Sequence, residues 1–318
     1  MVRIGRQSIS FGKILMPEPL VPGDTVAVIA ASGPPDEKLL ATGIDFVESR
    51  GFRVLTGKHI LGQSSYLAGT DAERIEDLNS ALRNQEVRGI FLARGGYGAM
   101  RVLQFLDFEA PVTDPKLLMG MSDVTALQLS LYARAGLVTL SGPMLAGQVA
   151  EGLDPMSEQW FLQACTEPLI SRNFFPGDMP IRILRHGTAH GPILGGCLSL
   201  IAALVGTPHA PDFSGAILFM EDVGEAPYRI DRMLMQLKLA GVLDRVSGMI
   251  MGHFLGPDGN DVASEAEDII AGIVQSPSVP IISRFPHGHA LPNLTLPHGA
   301  FVRLDTEARS LIVQSPLE

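Results

Sequence analysis

Cysteine is scarce in this sequence: Cys165 and Cys197 are the only two among 318 residues. Two thiols cannot build the disulfide framework of a small secreted domain; they suit a reducing compartment, where a buried cysteine acts as a small apolar residue. Positive charge is also in short supply, with 24 Lys and Arg against 34 Asp and Glu and a formal net charge of −10. Without a basic cluster, nucleic acid and an anionic membrane surface are not expected partners. No uninterrupted apolar run reaches the roughly 18 residues of a transmembrane helix. The opening "MVRIGRQSISFGKILMPEPL" lacks the continuous apolar segment of a secretory signal, so the expected location is the cytoplasm. Dinucleotide and phosphate-loop fingerprints are missing too. Gly95, Gly96 and Gly98 do not space as G-x-G-x-x-G, and no P-loop lysine pattern occurs. No cofactor is expected. What the chain does have is 46% hydrophobic residues, 34 Gly and 23 Pro, enough for a compact protein with two cores.

The first half alternates strand and helix signals. "DTVAVIAAS" (24–32) is a β-branched apolar strand. An amphipathic helix follows, with Leu39, Ile44 and Val47 on its inner side and Gly51 as its stop. "FRVLTG" is a second strand. "TDAERIEDLNSALRN" is a helix capped by Thr70 or Asp71, with acidic residues in its first turn. "GIFLA", "KLLMGM" and "LVTLSG" are three further strands. Such alternation predicts a parallel, doubly wound sheet whose ligands bind beyond the carboxyl ends of its strands. Residues 151–190 read as a linker or crossover, with a helix around Trp160. Beyond it come a Gly-rich turn and apolar helix in "GPILGGCLSLIAALVGTP", and a buried strand, "AILFM", running into acidic residues before a helix near Pro227. "VSGMIMGHF" is another strand. "FPHGHALPNLTLPHGAFVRLD" is a Gly/Pro/His loop entering the closing β structure. The expected division is a tail over 1–21, an α/β domain over 22–150, the linker, and a second domain over 191–318.

Three positions carry candidate chemistry. Ser122 falls where the strand "KLLMGM" gives way to a helix on which Val124, Leu127, Leu131 and Ala135 share a face. A serine at such a turn is a helix cap or a nucleophile, because nearby backbone N–H groups can stabilise an oxyanion. "ARGGYGAMRVL" (93–103) ends another strand; its glycines make a tight turn or bring bare backbone to a ligand. Glu221 follows "AILFM", where a carboxylate needs solvent, a partner or a function. His289 lies in the "HGHALPN" loop as a solvated histidine or a base. His287, His289 and His298, with His253, are weak candidates for metal ligation, and no familiar ligand spacing supports them. Serine, histidine and carboxylate do make a chemical set, since the hydroxyl needs a base and the base an orienting acid.

The chain resembles the LD-carboxypeptidase family of serine peptidases, the murein tetrapeptide carboxypeptidases, from about Pro22 onward. The matching blocks are "PGDTVAVIAASGPP", "YLAGTDAERIEDLNSAL", "LARGGYGAMRVL", "GMSDVTALQ", "SGPML", "GGCLSLIAALVGTP", "MEDVGEAPYRIDRMLMQL" and "GHALPNLTLPHGA". The resemblance implies Ser122 as nucleophile, Glu221 as charge-relay carboxylate and His289 as base, without a metal. It implies a flavodoxin-like N-terminal domain, a smaller β-rich C-terminal domain and a homodimer. The implied substrate is a muropeptide tetrapeptide that loses its terminal D-alanine in cell-wall recycling. A sister branch hydrolyses peptidyl-nucleotide antibiotics. The backbone N–H of Asp123, with Gly95 or Gly96, is the candidate oxyanion hole, and Arg94, Tyr97 and Arg232 are the candidate substrate contacts. Cys197 stands where a polar residue is expected, and "MVRIGRQSISFGKILM" is an added tail.

Overall fold

The computed structural model describes residues 14–177 and 179–315, so most of the expected tail lies outside the described residues. In chain order the first half runs β1 (Thr25–Ile29), α1 (Glu37–Glu48), β2 (Arg53–Thr56), α2 (Asp71–Arg83), β3 (Val87–Leu92), α3 (Ala99–Val102), α4 (Ala110–Thr113), β4 (Leu117–Gly120), α5 (Thr125–Ala135), β5 (Thr139–Ser141) and α6 (Pro155–Thr166). The second half runs β6 (Arg182–Arg185), β7 (Thr188–Cys197), α7 (Leu198–Leu204), β8 (Ile217–Val223), α8 (Pro227–Leu239), β9 (Gly248–Leu255), α9 (Ala263–Ile273), β10 (Ile281–Ser283), β11 (Leu296–His298), β12 (Phe301–Asp305) and β13 (Ser310–Val313).

One sheet has the order β11-β5-β4-β3-β1-β2. Its five parallel members keep the 2-1-3-4-5 order of flavodoxin-like folds, which places ligand sites at the carboxyl ends of the strands. The edge strand β11 joins antiparallel to β5, so the chain returns to this sheet after building most of the other. The second sheet runs β13-β12-β7-β8-β9-β10-β6. Its centre, β7 to β10, is parallel, with α7, α8 and α9 as crossovers; β12, β13 and β6 flank it antiparallel.

Local chemistry explains the element ends. Asp36 caps α1 by accepting the N–H groups of Lys38 and Leu39. Thr70 and Glu73 form a reciprocal capping box on α2, which supplies the cap expected there. Helix α5 is buried at every position except Ala133 and Arg134 and stops at Gly136 in the left-handed conformation. A helix buried on nearly every side belongs between layers, and α5 packs against both α7 and β7, with its buried Gln128 donating to the Gly120 and Leu140 carbonyls.

The structure refines two expectations and overturns one, that of a turn at "GPILGG". The fully buried residues of α1 are Leu40, Gly43 and Val47, while the expected Leu39 and Ile44 are half-buried and pack against the same core from its edge. A Cβ on Gly43 would meet the Leu145 carbonyl oxygen at 2.5 Å, so the close approach of that segment fixes which side of α1 turns inward. The "GPILGG" stretch is not a turn but the body of β7. There, a Cβ on Gly195 would stand 1.7 Å from the Phe219 carbonyl oxygen, so the glycine serves close strand approach. The span 151–190 holds the helix expected around Trp160, α6, capped by Asp154, and in addition β6, which extends the second sheet.

Candidate active site

Ser122 lies one residue, Met121, beyond β4 and opens a single 3-10 turn, Ser122–Val124, ahead of α5. Its φ is +61°, a left-handed value that costs a non-glycine residue energy and turns the side chain out of the sheet at the strand's carboxyl end. Two glycines make room for this elbow. A Cβ on Gly120 would meet Val124 Cγ1 at 2.9 Å, and one on Gly95 would meet the Ser122 hydroxyl oxygen at 2.9 Å. The Arg94–Gly96 loop, at the end of the neighbouring strand β3, therefore lies against the serine with bare backbone.

Glu221 and His289 come from the second half. Glu221 sits on β8, where the pairing with β9 slips between Met220 and Asp222, and it is 1% exposed. His289 belongs to the loop between β10 and β11, and its side chain is 20% exposed. Gly288 lets this loop press on the carboxylate: it holds φ +125°, and a Cβ there would meet Glu221 Oε2 at 2.7 Å. His289 Nδ1 lies 2.7 Å from Glu221 Oε2, and Nε2 lies 3.0 Å from Ser122 Oγ. A carboxylate can only accept, so Nδ1 carries the proton and Nε2 is free to accept from the serine hydroxyl.

The electrostatics follow from this contact. Burial would lower the pKa of His289, but the charge and hydrogen bond of Glu221 outweigh it and hold the imidazole above its ordinary value. Burial would raise Glu221, and the charge and hydrogen bond of His289, joined by the Cys197 thiol, overcome it and hold the acid below its ordinary value. At Asp222 burial dominates instead. Burial, with the neighbouring Glu221 charge, lifts it to about 6, while its oxygens accept the N–H groups of Ser199 and Val223.

The serine and histidine open into a cleft of about 440 Å³, within the usual range for small-ligand sites. Arg94, Gly95, Gly96, Gln148 and Glu151 line it alongside Asp36 and Leu39. Of the expected substrate contacts only Arg94 reaches the cleft. Tyr97 is half-exposed and stacks edge-on with Tyr66, and Arg232 lies over the Tyr228 ring on α8; neither lines the cleft. Asp123 is buried and its carboxylate accepts the N–H of Ala99, the first residue of α3, at 2.7 Å; burial raises its pKa.

The histidines considered as metal ligands are dispersed into separate bonds. His287 Nδ1 donates to the Leu294 carbonyl and Nε2 accepts from Ser141; His253 donates to the Pro292 carbonyl; His298 lies near Thr139. Reading the sequence missed Asn293. Fully buried, it accepts the Gly288 N–H at 3.1 Å and donates to Gln148 at 2.6 Å and to Met121 Sδ at 3.1 Å, tying the histidine loop to the serine elbow. Its signal in the sequence is faint: one Asn after a proline in "HALPNLTLP". Cys197 was read as a small apolar residue and is buried, but its thiol also donates to Glu221 Oε1 at 2.9 Å.

A serine hydroxyl backed by an imidazole and a buried carboxylate, at the strand ends of a doubly wound sheet, is the arrangement of a serine-type hydrolase. The chain belongs to the LD-carboxypeptidase family: the family's N-terminal domain matches residues 26–142 and its C-terminal domain residues 190–304. It is 36% identical over 304 residues to the probable murein peptide carboxypeptidase of Bacillus subtilis, covering 94% of each chain. The crystal structure of the muramoyltetrapeptide carboxypeptidase from Oxalobacter formigenes superposes with a TM-score of 0.78 at 31% identity, over 92% of this chain and 99% of that one. MccF in complex with glutamyl sulfamoyl guanosine superposes with a TM-score of 0.84 at 25% identity, over 95% and 98%.

Proposed function

We propose that this protein is a serine carboxypeptidase that removes the C-terminal D-alanine of a murein tetrapeptide by hydrolysing the preceding L,D bond. The observation that carries the reading is the unbroken chain from Glu221 through His289 to Ser122, 2.7 and 3.0 Å, opening into the cleft. Ser122 attacks the carbonyl of the penultimate residue as His289 Nε2 takes its proton. The same imidazolium then protonates the departing D-amino acid, and water repeats the cycle on the acyl-enzyme. Glu221 holds the tautomer and stabilises the imidazolium. The N–H of Asp123, with that of Gly95 or Gly96, faces the developing oxyanion, a role favoured by the contact of the Gly95 backbone with the serine. Arg94 supplies the positive charge that a free terminal carboxylate requires in an otherwise acidic protein.

A homodimer fits the exposed Tyr228, Met235 and Leu239 of α8, and a cytoplasmic site fits two unpaired, buried cysteines. The likeness to MccF supports a second reading, hydrolysis of an aminoacyl-nucleotide conjugate. One experiment separates them: purified protein is given a murein tetrapeptide ending in D-alanine, the same peptide ending in L-alanine, and an aminoacyl sulfamoyl nucleotide, with products followed by mass spectrometry. Inverting the terminal α-carbon swaps methyl and hydrogen, so a carboxylate held by Arg94 would drag the carbonyl off its donors. A misplacement of about 1 Å costs on the order of 10²-fold. Release of D-alanine with at least that preference is the expected result. Equal rates on both peptides, or cleavage of the nucleotide conjugate alone, would reject the L,D-carboxypeptidase reading.

A further inference from the structure

The triad leaves one soft donor atom beside it unused. Cys197 ends β7 directly opposite Glu221 in the parallel ladder, and its thiol occupies Oε1 while His289 occupies Oε2. Cys197 Sγ, a Glu221 oxygen and a His289 ring nitrogen all lie within 4.8 Å of one another. Thiolate, carboxylate and imidazole are the donors of tetrahedral zinc sites, at bond lengths of about 2.0–2.3 Å, which set neighbouring donors roughly 3.4–3.8 Å apart. The contacts of 2.9 and 2.7 Å, made to the two oxygens of one carboxylate, have to open by about 1 Å or less, and the thiol sulfur and ring nitrogen, within 4.8 Å of each other, have to close by about 1 Å, to hold an ion. Charge favours one as well. A divalent cation with the Glu221 carboxylate and the Cys197 thiolate is neutral overall, which a buried site tolerates better than an isolated charge. The approach is through His289, the member of the three that lines the cleft.

We propose that Cys197, Glu221 and His289 form an inhibitory site for a thiophilic divalent cation such as Zn²⁺ or Cd²⁺, which switches the enzyme off by dismantling its triad. The S–H bond of Cys197 breaks, its proton leaves to solvent, and a metal–sulfur bond forms. At His289 the metal replaces the Nδ1 proton while Nε2 gains one, so the ring stays neutral and presents Ser122 with a donor where it needs a base. No oxidation state changes. Glu221, now a ligand, no longer orients the imidazole. The ion competes with catalysis; it takes no part in it.

The test uses the full chain, freed of metal with a chelator and then titrated with Cd²⁺. Wild type and Cys165→Ala are expected to develop the ultraviolet thiolate-to-Cd²⁺ charge-transfer band, saturating at one ion per chain, and Cys197→Ala and Cys197→Ser are expected to show none. In parallel, tetrapeptide hydrolysis is measured against Cd²⁺ and Zn²⁺, each variant relative to its own uninhibited rate. Loss of even an outer-shell partner weakens metal sites by 10–100-fold, so removing the sulfur ligand should raise the half-inhibitory concentration by at least about 100-fold. A chelator should restore wild-type activity. A band that survives Cys197→Ser, or equal inhibition of that variant and wild type, would overturn the proposal. The inhibition arm rests on the proposed hydrolase activity and the absorption arm does not, so failure of the one reading is distinguishable from failure of the other.

Discussion

At the residue scale the site behaves as one unit, because each member of the triad is useful only through its neighbour. Ser122→Ala and His289→Ala should each lower kcat by roughly 10⁴-fold or more, and the double variant should be scarcely worse than either, as triad members are strongly non-additive. Steady-state kinetics on the tetrapeptide decides this, and multiplicative losses would contradict it. A second expectation follows from His289. The imidazole must be neutral to accept the serine proton, and Glu221 holds its pKa above the ordinary value against the pull of burial. The acidic limb of kcat/KM should therefore have its midpoint above about 6.5, the ordinary histidine value. Glu221→Gln removes the opposing charge and leaves burial, so the limb should move to lower pH while kcat drops by orders of magnitude. A limb that stays put in that variant would mean another group titrates.

At the scale of the elements, catalysis depends on how tightly the loops press on the elbow. Gly95 does not hold a positive φ, so Gly95→Ala asks nothing new of the backbone. Its methyl, however, would stand 2.9 Å from Ser122 Oγ and 2.8 Å from Ser122 Cβ. The serine must move, so kcat should fall by about 10²-fold or more, together with about 1–3 kcal/mol of stability lost to overpacking. Calorimetry beside kinetics checks the pair. Asn293 acts on the other side of the site. Asn293→Ala leaves the buried Gly288 N–H without its acceptor, costing about 1–3 kcal/mol of stability, and frees the loop that carries His289. Both the unfolding free energy and kcat should fall. A stability loss with normal kcat would mean that Asn293 is purely structural.

At the scale of the whole molecule, buried histidines set the response to acid. His287 and His298 are fully buried; burial lowers His287 to about 4 and His298 to about 3. Unfolded, each titrates near about 6.5. Between that value and their folded ones, the unfolded chain binds more protons than the folded chain, so stability falls as pH falls. Each unit of difference is worth about 1.4 kcal/mol. Asp222, lifted to about 6 by burial and the Glu221 charge, acts in the opposite sense, since its folded form binds a proton first. Over roughly pH 4 to 6 it partly offsets the histidines. The melting temperature should decline from pH 6.5 towards 4, and His298→Leu, which removes one titrating imidazole, should flatten that decline. An unchanged slope would remove His298 from the account.

Much of this was legible before folding because it is local. Strand–helix alternation, the helix cap at Thr70, the stop at Gly51 and the serine at the end of β4 are set by residues close in sequence, whose periodicity and turn chemistry can be read directly. The chemical types needed for a serine hydrolase were visible too. Their meeting was not. Ser122 and His289 are 167 positions apart, and His289 and Glu221 are 68 apart, on elements brought together only when β11 returns to the first sheet and α5 packs on β7. The glycines of β7 look like a turn in sequence because their reason lies in the neighbouring strand, which a Cβ would strike. Arg232 looked equivalent to Arg94 for the same reason, since charge is written in the sequence and direction is not. Residue order determined the strands, the helices and the reacting groups; close packing of distant segments decided which of those groups share a site.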